Sequence, residues 1–515
     1  IDGTLETDAL TINGSALKYK TFGTSSFMLG DNATGTINAA NANTGVGVDI
    51  FTALTTGDDN VALGTEAMKL MASGSQNTAL GRYALQGDTD ASFNTAVGYE
   101  SMSATTNPGD SNTAVGAYSL GVGALTGTQN TAVGAGAMDA TTGGGYNVGV
   151  GNNALGANLA GDYNVAVGRE ALAANIDADA NTAVGRNALG VSTTGTENVA
   201  IGALALDATG VGTDGSYNVA IGNDALGANT QGQFNVAVGR RALYANLTAD
   251  ENTAVGYLAL YTSATGDSNT AVGVSALQTA NGASNNTAVG NRAASLVTTG
   301  AENTAIGAKA FDAANTGSDS VCVGSEAGSA ITDAEGNVCV GYRAGDVVTT
   351  GDKNTCIGNS TDPSANSGAH QIAIGANAVG KGDSTGFMNA NGGANYAGNN
   401  SASWSTTSDR RIKKNIEDNN TGLDKLKQIQ VRNFEYRLPE EVDPELPSHA
   451  AIDKEGIQVG VIAQEIMDVL PDVVKQESTG CYTVDPDNLT WYLVNAVKEL
   501  SAKVEDLEKQ LNNKE

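Results

Sequence analysis

Asn252-Thr253-Ala254-Val255-Gly256-Tyr257-Leu258-Ala259-Leu260 is followed, 17 residues on, by Asn269-Thr270-Ala271-Val272-Gly273-Val274-Ser275-Ala276-Leu277. The same phrase, Asn-[Thr/Val]-Ala-[Val/Ile]-Gly-x-x-Ala-[Leu/Met], recurs in 20 copies between Asn43 and Gln371, with Ser320 and Gln371 standing in for the Asn. Of the 19 spacings, 16 are 17 residues, two are 18 and one is 20. A further degenerate copy is expected at Ser26, where Leu29-Gly30 and Ala33 fall in register.

Numbered from its Asn, the unit reads as a short strand over positions one to five. Ala at position three and Val at position four point to opposite sides. Both are apolar, so both sides of the strand are expected to be covered. Gly at position five suits a bend or a close backbone approach. The eight variable residues that follow are rich in Thr, Gly, Asp, Ser and Asn and have turn chemistry. A unit this short cannot bury itself, whereas stacked units can. The predicted fold is therefore mainly β, a parallel β-solenoid with one coil per layer. Twenty rungs about 4.8 Å apart make a rod of roughly 95 Å. Position one is expected to form an Asn ladder, and the longer spacings to hold their extra residues in the turn.

Composition agrees. The 515 residues include 66 Gly but only seven Pro, and charged residues make up 16%. Collagen, a Pro-rich linker and a highly charged disordered chain are excluded. A net charge of −29 repels phosphate backbones, so no nucleic-acid partner is expected. No apolar run approaches membrane-spanning length, so no membrane insertion is expected.

The material changes near residue 407. Beyond it 36 of 108 residues are charged, against 47 of 407 before it, and only four of the glycines remain. The expected organisation is an N-terminal β segment with a degenerate first coil over 1–42 and the repeat shaft over 43–379. A Gly/Asn/Ser-rich neck or linker follows over 380–407, then an α+β domain over 408–515.

Most candidate chemistry dissolves into the repeat. Cys322, Cys339 and Cys356 are 17 apart and all replace the position-three Ala. A small buried slot accepting Cys explains them better than a metal or redox ladder. Gly149-Val150-Gly151-Asn152-Asn153-Ala154 fits a dinucleotide fingerprint but lies on the repeat register with no βαβ unit behind it. The turn acids Asp58, Asp59, Asp88, Asp90, Asp177 and Asp179 match no calcium loop and read as solvated surface. The two histidines, His370 and His449, lie far apart and near no Cys pair. No cofactor and no metal are expected.

In the C-terminal block, Gly422 to Leu438 reads as a helix (Leu423, Leu426, Ile429) and then a strand (Val431, Phe434, Tyr436). Residues 440–456 read as a loop, and Val459 to Ile466 as a strand running into a helix. Leu493, Val497, Leu500, Val504, Leu507 and Leu511 form a heptad seam, predicting a coiled coil over 489–511. The alternative is an amphipathic helix packed on its own domain.

The repeat phrase resembles the head repeats of trimeric bacterial adhesins and the shaft repeats of phage tail fibres. The C-terminal block resembles the intramolecular chaperone domain of phage endosialidase tailspikes. Three phrases carry that likeness: Ser408-Asp409-Arg410-Arg411-Ile412-Lys413-Lys414-Asn415-Ile416, Asn433-Phe434-Glu435-Tyr436, and Val459-Gly460-Val461-Ile462-Ala463-Gln464-Glu465. The first resemblance implies three chains side by side, with one strand face turned to a neighbour. The second implies a domain that trimerises, helps fold the fibre and then cuts itself off.

By that resemblance the cleaved bond is Thr407–Ser408, Ser408 is the nucleophile and Lys413 the base of a Ser–Lys dyad. Asp409 and Arg411 take the matching structural positions. Val at a with Leu at d would favour two strands, but three heptads are a weak oligomer code and the implied trimer is preferred. A lysine base must be neutral, which requires desolvation or nearby positive charge. Arg410, Arg411 and Lys414 supply charge, and trimer packing would supply desolvation.

The expectation is a homotrimeric viral tail fibre or spike, part of a virion, assembled in the host cytoplasm. Its partners would be its own copies, other tail or baseplate proteins, and a host-surface receptor, either a glycan or an outer-membrane component. Alternatives are a structural fibre with a non-cleaving chaperone, or a trimeric bacterial adhesin. An adhesin is expected to carry a membrane-anchoring barrel segment in place of the charged Lys509–Glu515. A fibre that also degrades glycans normally needs an inserted domain with paired carboxylates, and the register leaves no room for one.

Overall fold

The computed structural model describes residues 10–12, 15–17, 19–20, 26–29, 40–103, 109–121, 125–208, 215–313, 315–390, 393–397, 404–405, 410–438, 441, 443, 455–476 and 481–513. The chain divides into two compact units, Ile1–Thr407 and Ser408–Glu515.

In the first unit, 21 three-residue strands stack in parallel from Phe27–Leu29 to Ile372–Ile374 among the described residues. Each pairs in register with the next, as Ala254 does with Ala271 and Ala271 with Ala288. The stack is a parallel β-solenoid, and the degenerate copy at Ser26 is its first rung: Asn43 donates its N–H to Ser26 Oγ at 3.0 Å. The strand occupies positions two to four only, shorter than the five residues expected. Gly149 pairs with Ala132 and Ala166 as an ordinary rung.

Position three faces inward and is sealed: Ala254, Ala271 and Ala288 are buried. Positions eight and nine complete the core, as Ala259 and Leu260 do. The other strand face, which the repeat's resemblance turns toward a neighbouring chain, has no cover from its own coil. Position four is exposed or half-buried in this single chain, 36% exposed at Val255 and 41% at Ile306, and half-buried at Val133 and Val150.

The turn is laddered as tightly as the strand. Thr253 N–H reaches Asn269 O at 2.8 Å, Leu260 N–H reaches Ala276 O at 3.0 Å, and Ser268 N–H reaches Asp250 O at 3.0 Å. Three residues per coil adopt left-handed φ, here Leu258, Leu260 and Ser268 at 57°, 50° and 57°. Such a backbone costs an L-residue about 1–2 kcal/mol. Complete burial of Leu260, worth about 1.5–3 kcal/mol, offsets it. Gly256 has no such choice: φ is +139°, and a Cβ there would lie 2.4 Å from Gly273 O. Position five is glycine because successive backbones touch at that corner.

In two coils the core trades volume between positions: where position three is Cys322 or Cys339, position nine is glycine. A Cβ on Gly328 would lie 2.5 Å from Cys322 Sγ, and one on Gly345 would lie 2.4 Å from Cys339 Sγ. Where position three loses its methyl at Gly45, Ile50 and Phe51 fill the space.

Residues 380–407, expected as neck or linker, carry three strands among those described. Gly386–Ala390 continues the stack in parallel, and Gly393–Ala397 and Trp404–Ser405 follow antiparallel. Tyr19–Lys20 lies antiparallel on the first rung. Antiparallel strands thus flank both ends of the parallel ladder, where unpaired edges would otherwise be presented.

The second unit is small. It holds helix α1 (Leu423–Leu426), a strand Arg432–Phe434 antiparallel to Gln458–Gly460, and helix α2 (Ala463–Met467). A 3₁₀ turn at Pro471–Val473, a hairpin of Val474–Gln476 with Tyr482–Val484, and helix α3 (Pro486–Asn512) follow. The hairpin was not anticipated, and α1 is a single turn. Of the expected loop 440–456, only 441, 443, 455 and 456 are described.

Candidate functional site

Five polypeptide positions carry the expected self-processing chemistry. Thr407, Ser408 and Asp409 lie outside the described residues. Arg411 belongs to a 3₁₀ turn, Arg410–Ile412, and Lys413 follows it with its N–H on Arg410 O at 3.2 Å. Residues 410–420 are all exposed in the single chain. A lysine serves as a base only when it is desolvated or crowded by positive charge. The chain alone supplies the charge of Arg410, Arg411 and Lys414, but no burial at Lys413.

What holds the following segment in place was not visible in the motif. Helix α3 clamps residues 419–423. Asn495 Nδ2 donates to Asn419 O at 2.7 Å and to Thr421 O at 3.1 Å. Glu499 Oε2 accepts the Leu423 N–H at 2.9 Å, capping a helix whose own Gly422 has no side chain to do so. Gly422 is required there, because a Cβ would lie 2.4 Å from Glu499 Oε1 and 2.8 Å from the Ala496 nitrogen.

The other two phrases meet directly. Asn433 pairs with Val459 and Phe434 with Gln458. Arg432 grips Glu465 through Nε at 3.2 Å and Nη2 at 3.0 Å. Tyr492 on α3 donates its hydroxyl to Asp472, and that hydrogen bond pushes the phenol above its ordinary pKa. The core beneath is slight: Ile466, Leu470, Val473, Tyr492 and Ala496 are the buried apolar residues among those described.

Against those five, 16 large apolar side chains in this unit are exposed among the described residues. They include Ile412, Ile416, Val459, Trp491 and the whole seam Leu493, Val497, Leu500, Val504, Leu507 and Leu511. Helix α3 therefore has two faces. Leu489, Tyr492 and Ala496 pack on its own unit, while the heptad seam is exposed, from 46% at Val504 to 66% at Leu511.

The shaft offers little other chemistry. Cys322, Cys339 and Cys356 are buried in register. Hydrogen bonding to the adjacent thiol, then burial, pushes Cys356 up, so the stack favours the unreactive thiol. Asp58 and Asp179 accept neighbouring N–H groups, from Asn41 at 2.6 Å and from Asp162 at 2.7 Å. Asp88 corrects the surface reading, because it is fully buried at position twelve. His370 is exposed, and His449 lies outside the described residues. Among the described residues no group of three or more His, Cys, Asp or Glu could hold a metal ion. No helix among them is long and apolar enough to cross a membrane.

No solved structure matches the chain. Residues 408–475 match the family model described as chaperone of endosialidase, Peptidase_S74, and the C-terminal part of this β-solenoid protein is similar to that family.

Proposed function

We propose that the chain is one subunit of a homotrimeric viral tail fibre or spike that attaches to a host surface. Its C-terminal unit assembles three chains and then releases itself at Thr407–Ser408. The observation that carries this reading is the match of residues 408–475 to a chaperone of endosialidase, on the C-terminal side of a parallel stack of 21 strands.

Physics supplies the need for such a chaperone. Near-identical rungs can pair one coil out of place, since every copy offers the same partners. A C-terminal assembly unit aligns three chains at one end. The exposed seam of α3 and the exposed position-four stripe are the faces association would cover. A unit that buries five apolar residues and exposes 16 large ones among those described gains its stability from association.

The self-processing step needs no outside reagent but water. Ser408 Oγ adds to the Thr407 carbonyl carbon while Lys413 takes the hydroxyl proton. That proton passes to the Ser408 nitrogen as the peptide bond breaks, leaving an ester. Water then hydrolyses the ester to the Thr407 carboxylate and the Ser408 hydroxyl. Desolvation of Lys413 by the partner chains would couple cleavage to assembly. Removal of the unit would leave the shaft kinetically trapped. The boundary between the two compact units falls at the same bond, which supports the reading. Intact masses of wild type and Ser408→Ala test it: a fragment beginning at Ser408 is expected only in wild type.

A further inference from the structure

The one 20-residue coil, which begins at Asn198, adjoins a cavity of about 280 Å³ lined by Leu204, Asp207, Asp224, Gly227, Tyr244 and Leu247 among others. Small-molecule sites run from roughly 300 Å³ upward, so this one suits a single small ring. Its origin is a missing side chain. Position ten reads Asp207, Gly227, Tyr244 and Tyr261 on four successive coils. Adjacent rungs are about 4.8 Å apart, so Gly227 leaves a gap between a carboxyl on one side and a ring on the other.

The walls are pre-set. Tyr244 stacks on Tyr261 with centroids 5.4 Å apart and planes 11° from parallel. On the Gly227 side the ring packs close to the backbone, where a Cβ would lie 3.1 Å from Cδ2 and Cε2, and the rest of the ring lines the cavity. Arg241 lies 5.5 Å from the Tyr244 centroid and binds Asp224 at 3.2 Å. Asp207 is only 9% exposed, and its Oδ1 has no hydrogen-bond partner among the described residues. Leu204 and Leu247 supply apolar rim.

We propose that this cavity is a subsite for one neutral pyranose residue of a glycan. A pyranose has an apolar C–H face for the tyrosine and leucines, and hydroxyls for the two carboxyls. Asp207, Asp224 and Glu170 against Arg186 and Arg241 leave one negative charge in excess, which, on a chain of net charge −29, disfavours an anionic sugar. Burial pushes the Asp207 carboxyl up, which weakens its draw on a cation. The lining belongs to positions seven to thirteen of the coil, so it stays clear of the strand face assigned above to neighbouring chains. The inference rests on the attachment-fibre reading for its biological role, not for its chemistry.

The test is saturation-transfer NMR on the full chain, with native mass of the same sample. The probes are methyl α-glucopyranoside, methyl β-galactopyranoside, methyl α-mannopyranoside and N-acetylglucosamine, with N-acetylneuraminic acid and tetramethylammonium as contrasts. At least one neutral pyranoside should give a signal, and the contrasts none. Asp207→Ala should weaken binding about tenfold or more, and Gly227→Leu should abolish it by filling the gap. Phe93→Ala, on an exposed ring elsewhere, should leave it unchanged. Asp207→Ala removes a buried carboxyl with an unpartnered oxygen, so it should keep the fold, and circular dichroism checks both pocket variants. Silence from every neutral sugar, a signal untouched by both pocket variants, or preference for either contrast probe would overturn the subsite. Silence from a chain that is trimeric would sink the subsite and spare the fibre reading. Saccharide binding by a chain that stays monomeric would do the reverse.

Discussion

Asn43 closes its own coil onto Asn60: Asn43 Oδ1 accepts the Asn60 N–H at 2.9 Å while its Nδ2 donates to Gly57 O at 2.8 Å. One buried carboxamide thus satisfies a donor and an acceptor that the corner between coils would leave unpaired. Asn235 does the same for Asn252 N–H at 3.0 Å and Ala249 O at 2.8 Å. Asn235→Ala strands both groups in a sealed interior and should cost about 2–4 kcal/mol. Asn235→Asp keeps the acceptor but loses the donor and buries a carboxylate against the Ala249 carbonyl, so near neutral pH it should cost at least as much as the alanine. Chemical denaturation of the shaft with each variant measures the difference.

The Cys–Gly pairing gives a sharper test, because the repair is specified by the rest of the repeat. Gly345→Leu drives a side chain into Cys339 Sγ and should destabilise by about 1–3 kcal/mol. Adding Cys339→Ala restores the common Ala–Leu combination and should recover most of that loss. A double-mutant cycle in thermal unfolding reads the coupling. Additive effects would show that the two positions do not share one volume.

Asp88 sets a pH dependence. Its carboxyl is buried, and burial pushes it up to about 7 from the ordinary 3.8. The unfolded chain gives up this proton near pH 4, whereas the folded chain holds it to about pH 7. Folding therefore loses stability as pH rises through that window, by about 4 kcal/mol at most. Asp88→Asn should match wild type near pH 4 and exceed it near pH 8. Melting temperatures of both proteins at the two pH values check the sign.

The seam of α3 should decide assembly rather than helix formation. Leu500 and Leu507 are 51% and 63% exposed in the single chain and take no part in the C-terminal core. Leu500→Asp with Leu507→Asp should leave most of the helical signal yet shift the sedimenting species from trimer to monomer. A variant that stays trimeric would place the assembly contact elsewhere.

Spacing alone made the rungs legible, because a buried ladder tolerates no drift in register. The Asn at position one and the small residue at position three were readable for the same reason. Which of the two apolar faces turns inward was not, since a strand with Ala on one side and Val on the other looks covered on both; the structure seals the Ala face and leaves the Val face open to a neighbour. Asp88 was misplaced because a lone acid among turn residues gives no sign of pointing inward. In the C-terminal unit the motif located Lys413 and Arg411, and the structure places both in the exposed segment 410–420. Asn495 and Glu499 act on residues 76 or so positions away, and no local pattern announces such a contact. The hairpin at Val474–Gln476 escaped because three residues including Lys475 and Gln476 carry almost no alternation.

The most direct measurement is the intact mass of the purified chain and of Ser408→Ala, each under native and denaturing conditions. The account predicts a wild-type trimer of chains ending at Thr407 and a separate 108-residue fragment beginning at Ser408, with a full-length trimer in the variant. A wild-type chain that remains full-length and monomeric would contradict it.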